Sequence, residues 1–68
     1  MNNSEVYCVC FSHFDRKTYR LIIPKNLDID REFYEWQRIR APVTFAEFIG
    51  ARGGREASIE EIEQYEQL

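Results

Sequence analysis

Apolar residues run almost unbroken through Glu5-Val-Tyr-Cys-Val-Cys-Phe11, and again through Thr18-Tyr-Arg-Leu-Ile-Ile23 until Pro24 ends the run. Both stretches are rich in β-branched and aromatic side chains, which predicts two strands. The linking Ser12-His-Phe-Asp-Arg-Lys17 is short and holds turn formers and charges, so it allows an antiparallel hairpin over residues 5–23 and no parallel crossover. On the first strand Val6, Cys8 and Cys10 alternate with Tyr7, Val9 and Phe11, so both faces are apolar. At least part of each face should then be covered, by helices or by a partner.

The pattern changes after Pro24. From Asp30 to Arg40 apolar residues recur at three- and four-residue spacing (Ile29, Phe33, Trp36, Ile39), with Asp28 or Asp30 available to cap the start. Arg31 and Glu35, and Glu35 and Arg38, lie one turn apart, and Pro42 disfavours helical geometry at Ala41. A first helix over about 30–40 follows. Thr44-Phe-Ala-Glu47 fits a capping box, with Val43 and Phe48 in the two positions of a hydrophobic staple, which opens a second helix over about 45–52. Gly53-Gly54 stops that helix and is expected to leave a flexible joint. Ser58-Ile-Glu-Glu61 repeats the capping box and starts a third helix, about 59–67. The expected fold is α+β: a two-stranded antiparallel hairpin followed by three short helices, ββααα. Two strands alone are marginal in water, so Phe33, Trp36, Phe45, Phe48 and Ile49 are expected to supply the layer that stabilises them.

Size narrows this further. Sixty-eight residues make one domain, residues 1–68, because chains of this length expose too much surface to support two cores. With 44% hydrophobic residues and ten aromatics (five Phe, four Tyr, one Trp), the chain has enough large side chains to fold. No stretch approaches the roughly 20 apolar residues that span a bilayer, and the opening M-N-N-S-E-V-Y lacks the features of a secretory signal, so no membrane association and a cytoplasmic location are expected. Two cysteines are too few for a disulfide scaffold.

Little in the chain carries chemistry of its own. Cys8, Cys10 and His13 supply three metal-ligating side chains within six residues, but a structural zinc takes about four and the chain has no other Cys or His. The thiols read instead as small core residues in an apolar strand, an environment that raises a thiol pKa and works against a nucleophile. Gly50-Ala-Arg-Gly-Gly54 lacks the strand, lysine and spacing of a phosphate loop. Such a small domain also rarely encloses a pocket of about 300 Å³ or more. No enzymatic activity, cofactor, metal or small-molecule substrate is therefore expected. Arg16, Lys17 and Arg20, beside Tyr7, Phe11, Phe14 and Tyr19, offer an alternative reading as a small nucleic-acid-binding regulator, with Arg38, Arg40, Arg52 and Arg55 near helix ends. A net charge of −3 and a pI near 5.0 weigh against it.

Charge is also unevenly distributed. Residues 1–55 hold nine basic and seven acidic side chains, net +2, whereas residues 56–68 hold no basic and five acidic ones, net −5. Glu60, Glu61, Glu63 and Glu66 fall along about 9 Å of helix, a line density within a factor of about two of duplex DNA. On a helical wheel Ile59, Ile62, Tyr65 and Leu68 share one broad side, with Glu66 intruding between Ile59 and Ile62. Acids in the first turn also have a purely structural use, facing the positive end of the helix dipole.

A compact body without a catalytic signature, ending in Ile-Glu-Glu-Ile-Glu-Gln-Tyr-Glu-Gln-Leu68, resembles the small acidic inhibitors that phages encode, such as anti-CRISPR proteins. The resemblance is one of size, charge and composition. It implies a non-enzymatic protein of the host bacterial cytoplasm that binds a protein partner's basic surface, such as a CRISPR effector subunit, and blocks its nucleic-acid site as a DNA mimic. The residues it singles out here are Glu56, Glu60, Glu61, Glu63 and Glu66.

Overall fold

The computed structural model describes residues 4–39 and 44–67. Strands β1 (Glu5–Ser12) and β2 (Lys17–Pro24) form the expected antiparallel hairpin, with Glu5 opposite Pro24 and Ser12 opposite Lys17. A third strand, β3 (Arg55–Glu56), joins the far side of β2, with Ile22 opposite Arg55 and Leu21 opposite Glu56. The sheet order is β1-β2-β3, so β2 is central and the hairpin becomes a three-stranded sheet. β3 escapes a sequence reading because two residues, Arg-Glu, carry no alternation. What makes it a strand is pairing with β2.

Helix α1 (Ile29–Ile39) and helix α2 (Phe45–Ala51) cover one face of the sheet. Directly opposed residues of antiparallel strands share a face, so Cys8 and Cys10 stand beside Leu21 and Tyr19 on that side. There Leu21, Ile23, Phe45, Phe48 and Ile49 form the buried cluster, with Cys8, Cys10, Phe33 and Trp36 packed at its margin. The aromatic layer expected from the sequence is thus in place. Its rings meet at an angle: Phe33 lies 5.1 Å from Phe45 and nearly perpendicular to it, an edge-to-face contact that suits the ring quadrupoles. Arg52 ties the two helices together. Its guanidinium lies 5.0 Å from the Trp36 ring centre while its Nε donates to Glu32 at 2.9 Å.

Local signals set the helix starts. The N–H of Arg31 donates to Asp28, which caps α1, and Arg31 turns back to Asp28 at 3.5 Å as its ion-pair partner. At α2 both halves of the Thr44–Glu47 capping box form. The expected end of α1 at Arg40 to Pro42, and the staple residue Val43, lie outside the described residues. Helix α3 (Ile59–Glu66) opens on the second capping box, Ser58 with Glu61. It crosses the other face of the sheet, above Ile22, which is buried.

Gly53-Gly54 differs from the flexible joint expected of it. Gly53 adopts φ +84° and ends α2 in the left-handed region that glycine tolerates, and the N–H of Gly54 donates to Ile49 O at 2.9 Å. Gly54 is then wedged: a Cβ there would meet Ile49 Cγ2 at 2.9 Å, Ile23 Cγ2 at 3.0 Å and the Ile22 carbonyl oxygen at 3.2 Å. The missing side chain lets β3 approach β2 against the core, and the pair fixes the path into α3.

These surroundings separate two glycines of one segment. Gly54→Ala should destabilise the fold by about 1–3 kcal/mol through overpacking. Gly50→Ala, on the exposed side of α2 with nothing within 4 Å of its Cβ, should stabilise it by about 0.5–1 kcal/mol. Chemical denaturation of the two variants beside the parent chain checks both the signs and the difference.

Candidate acidic interaction surface

Helix α3 reaches the sheet through side chains that the sequence marks as acidic surface. Glu61 takes two hydrogen bonds from Arg55 on β3, at 2.8 and 2.7 Å, the two-pronged arrangement in which a guanidinium best matches a carboxylate. Glu66, near the other end, accepts from the hydroxyl of Tyr7 on β1 and from Nε of Arg20 on β2 at 2.9 Å. The Tyr65 ring stacks on Tyr7 with planes 1° from parallel and centres 4.9 Å apart. α3 is therefore fastened to all three strands, by an ion pair at its start and by an ion pair and a ring stack at its end.

The carboxyl groups register these contacts. Arg55, with help from the Ser58 backbone, holds Glu61 down at about 2, well below the usual carboxylate range. Tyr7 and Arg20 lower Glu66 in the same way. In return Glu66 raises Arg20, and burial together with Glu66 pushes the Tyr7 phenol up.

The acidic residues thus divide by role. Glu61 and Glu66 face the sheet and are neutralised by its arginines, while Glu56, Glu60 and Glu63 are exposed and form no ion pair among the described residues. At 100° per residue, Glu61, Ile62, Tyr65 and Glu66 span the inward side, and Glu60, Glu63, Gln64 and Gln67 the outward one. This accounts for Glu66 intruding on the apolar side of the wheel: that side carries the partly exposed Arg20–Glu66 ion pair at its edge. It also displaces Ile59, which is 75% exposed instead of docked. Leu68, the last residue of the expected apolar side, lies outside the described residues.

The alternative nucleic-acid residues are scattered. Arg20 is committed to Glu66, and Arg16 and Lys17 stand at the hairpin tip, with Arg16 in the left-handed region at φ 60°. Of the four rings grouped with them, Tyr7 is covered by Tyr65, and Tyr19 packs on Phe45 in the core with its hydroxyl donating to Asp15. Phe11 and Phe14 are half-exposed.

Cys8, Cys10 and His13 line an open cleft of about 780 Å³ between β1 and α1, walled by Phe14, Phe33 and Phe45. A domain this small was not expected to hold a hollow of this size; α1, which forms one of its walls, contributes no fully buried residue. Burial, with Cys8 and Asp30 nearby, pushes the Cys10 thiol up to about 11, so at neutral pH it stays protonated. Among the described residues no three His, Cys, Asp or Glu side chains gather closely enough to hold a metal ion. No described helix is long and apolar enough to cross a membrane.

No family model, curated protein or solved structure matches the chain.

The depressed Glu61 carboxyl has a defined pH signature. Because its folded pKa lies below the ordinary value of 4.5, the stabilisation it provides is complete above 4.5 and is lost as the pH falls towards about 2. Carboxyl-carbon NMR titration should find Glu61 near 2 in the parent chain and close to its ordinary value in Arg55→Ala. Over the same window, Glu61→Gln should flatten the acid limb of the stability curve.

Proposed function

We propose that this is a non-enzymatic binding protein that occupies the basic, nucleic-acid-binding surface of a protein partner through Glu56, Glu60 and Glu63. The observation that supports this reading most directly is how α3 is fastened. Its paired glutamates fix the helix on the sheet, so the unpaired ones are displayed from a preorganised element and lose little freedom on binding. Glu60 and Glu63 are three residues apart and about 4.5 Å along the helix axis, a spacing of negative charge that suits arginines and lysines arranged for a phosphate backbone.

The Cys10 thiol, held protonated, supports the non-catalytic part. The basic residues that would serve a nucleic-acid binder are separated or internally paired, which supports a protein partner over direct nucleic-acid binding. The partner class that best fits is an effector subunit with a basic groove, as expected of an inhibitor resembling anti-CRISPR proteins. With two of the five C-terminal glutamates neutralised by the sheet, recognition falls to a compact group of three, short of wholesale imitation of a DNA duplex.

The test is competition for target DNA. Added to RNA-guided effector complexes with labelled duplex, the protein should displace the DNA, more weakly as salt rises. The triple variant Glu56→Lys, Glu60→Lys, Glu63→Lys should lose at least about tenfold in potency while its unfolding free energy stays within about 0.5 kcal/mol of the parent. Equal potency of parent and variant overturns the assignment of these residues. Salt-dependent binding of labelled DNA or RNA by the protein itself would favour the nucleic-acid reading.

A further inference from the structure

Among the described residues, strand β1 is an edge with its outer side open. β2 and β3 both lie on one side of it. Which of its backbone groups point outward follows from two hydrogen bonds. The N–H of Lys25 donates to the Ser4 carbonyl at 2.7 Å, making Ser4 and Lys25 a bonded pair of the β1–β2 ladder. Bonded and non-bonded pairs alternate, so Val6, Cys8 and Cys10 turn their N–H and C=O groups towards β2, and Tyr7, Val9 and Phe11 turn theirs away. The second bond agrees: the N–H of Ala57 donates to Arg20 O at 2.8 Å, which places the even-numbered residues of β2 towards β3 and the odd-numbered ones towards β1.

The edge carries none of the usual protections. From Val6 to Phe11 there is no charge and no proline, and the register with β2 runs without a bulge. Val9 and Phe11, on the face shared with α3, are 50% and 51% exposed. The strand's ends differ in charge: Glu5 begins it, while the hairpin tip that follows it carries Arg16 and Lys17 against the single acid Asp15, which accepts from the Tyr19 hydroxyl, a net positive end. An antiparallel partner that brings an acidic end to this basic end, and a basic end to this acidic one, is a second β1.

We propose that the chain pairs with a second copy of itself through β1, antiparallel about a two-fold axis at Val9, forming a continuous six-stranded sheet. In this register Val9 faces Val9 of the other copy, Phe11 faces Tyr7, and Glu5 faces His13. The outward amides and carbonyls of Tyr7, Val9 and Phe11 bond across the axis, and the half-exposed Phe11 is covered by the Tyr7 side of its mate. The axis is perpendicular to the sheet, so both α3 helices lie on one face and present two acidic groups together. Pairing does not depend on what those groups bind.

Light scattering after size-exclusion chromatography tests this. The parent chain should pass with rising concentration from 8.2 kDa to twice that mass. Val9→Lys places a charge on the exposed edge, and Val9→Pro removes an outward N–H that β2 does not use; both should remain monomeric with unchanged circular dichroism. Amide exchange gives a readout free of substitution: the Val9 N–H of the parent should be protected at high concentration and exchange freely on dilution. A monomer at every concentration, free exchange of Val9 throughout, or a dimer that persists in either folded variant overturns the proposal. The Glu56, Glu60, Glu63 triple variant should dimerise like the parent, which separates failure here from failure of the functional reading.

Discussion

The middle of β2 buries side chains in both directions: Leu21 and Ile23 point into the aromatic layer of α1 and α2, and Ile22 points the other way, beneath α3. Three consecutive residues with almost no exposed surface need a cover on each side. The chain provides it with two helices on one face and the remaining helix on the other. β3 follows from the same demand. By pairing with the unoccupied side of β2 it satisfies the backbone groups of Arg20 and Ile22 and delivers the chain to the start of α3.

The two covers are built differently. On the core face, interlocked rings exclude water, and Arg52 reinforces the seam by lying over Trp36 and Phe48. On the other face α3 contributes half-buried Ile62 and a stacked tyrosine, flanked by two ion pairs. The Arg20–Glu66 and Arg55–Glu61 pairs are partly exposed, so each adds modestly to stability; their main effect is to set how the helix lies. A helix seated in this way leaves part of the sheet uncovered, which is why Val9 and Phe11 remain in contact with water. The exposed Val9 and Phe11 and the outward glutamates thus share one origin, a single short helix on a face wider than it can cover.

The acidic segment shows how differently residues of one type are used in folding. Five glutamates without a basic neighbour look uniform in a sequence, yet Glu61 closes a capping box and grips Arg55, and Glu66 joins Tyr7 to Arg20. Among the described residues only Glu56, Glu60 and Glu63 of the five are left exposed and without an ion pair. The basic residues of the hairpin divide in the same way: Arg20 is paired with Glu66, and Arg16 and Lys17 are exposed at the tip with no ion pair among the described residues.

By itself the sequence determined the two hairpin strands, the three helices, both capping boxes and the aromatic layer. Those depend on alternation, on three- and four-residue spacing and on hydrogen bonds between residues three apart, all of which are written within a few positions of one another. Tertiary structure alone decided that Arg55–Glu56 is a strand, that Gly54 is wedged against Ile22 and Ile23, and that a cleft opens beside Cys8 and Cys10. It also decided which glutamates are spent. Glu66 meets an arginine 46 positions earlier in the chain, and no local pattern encodes that meeting. It arises only when β2 is covered from both sides and α3 is brought across the sheet.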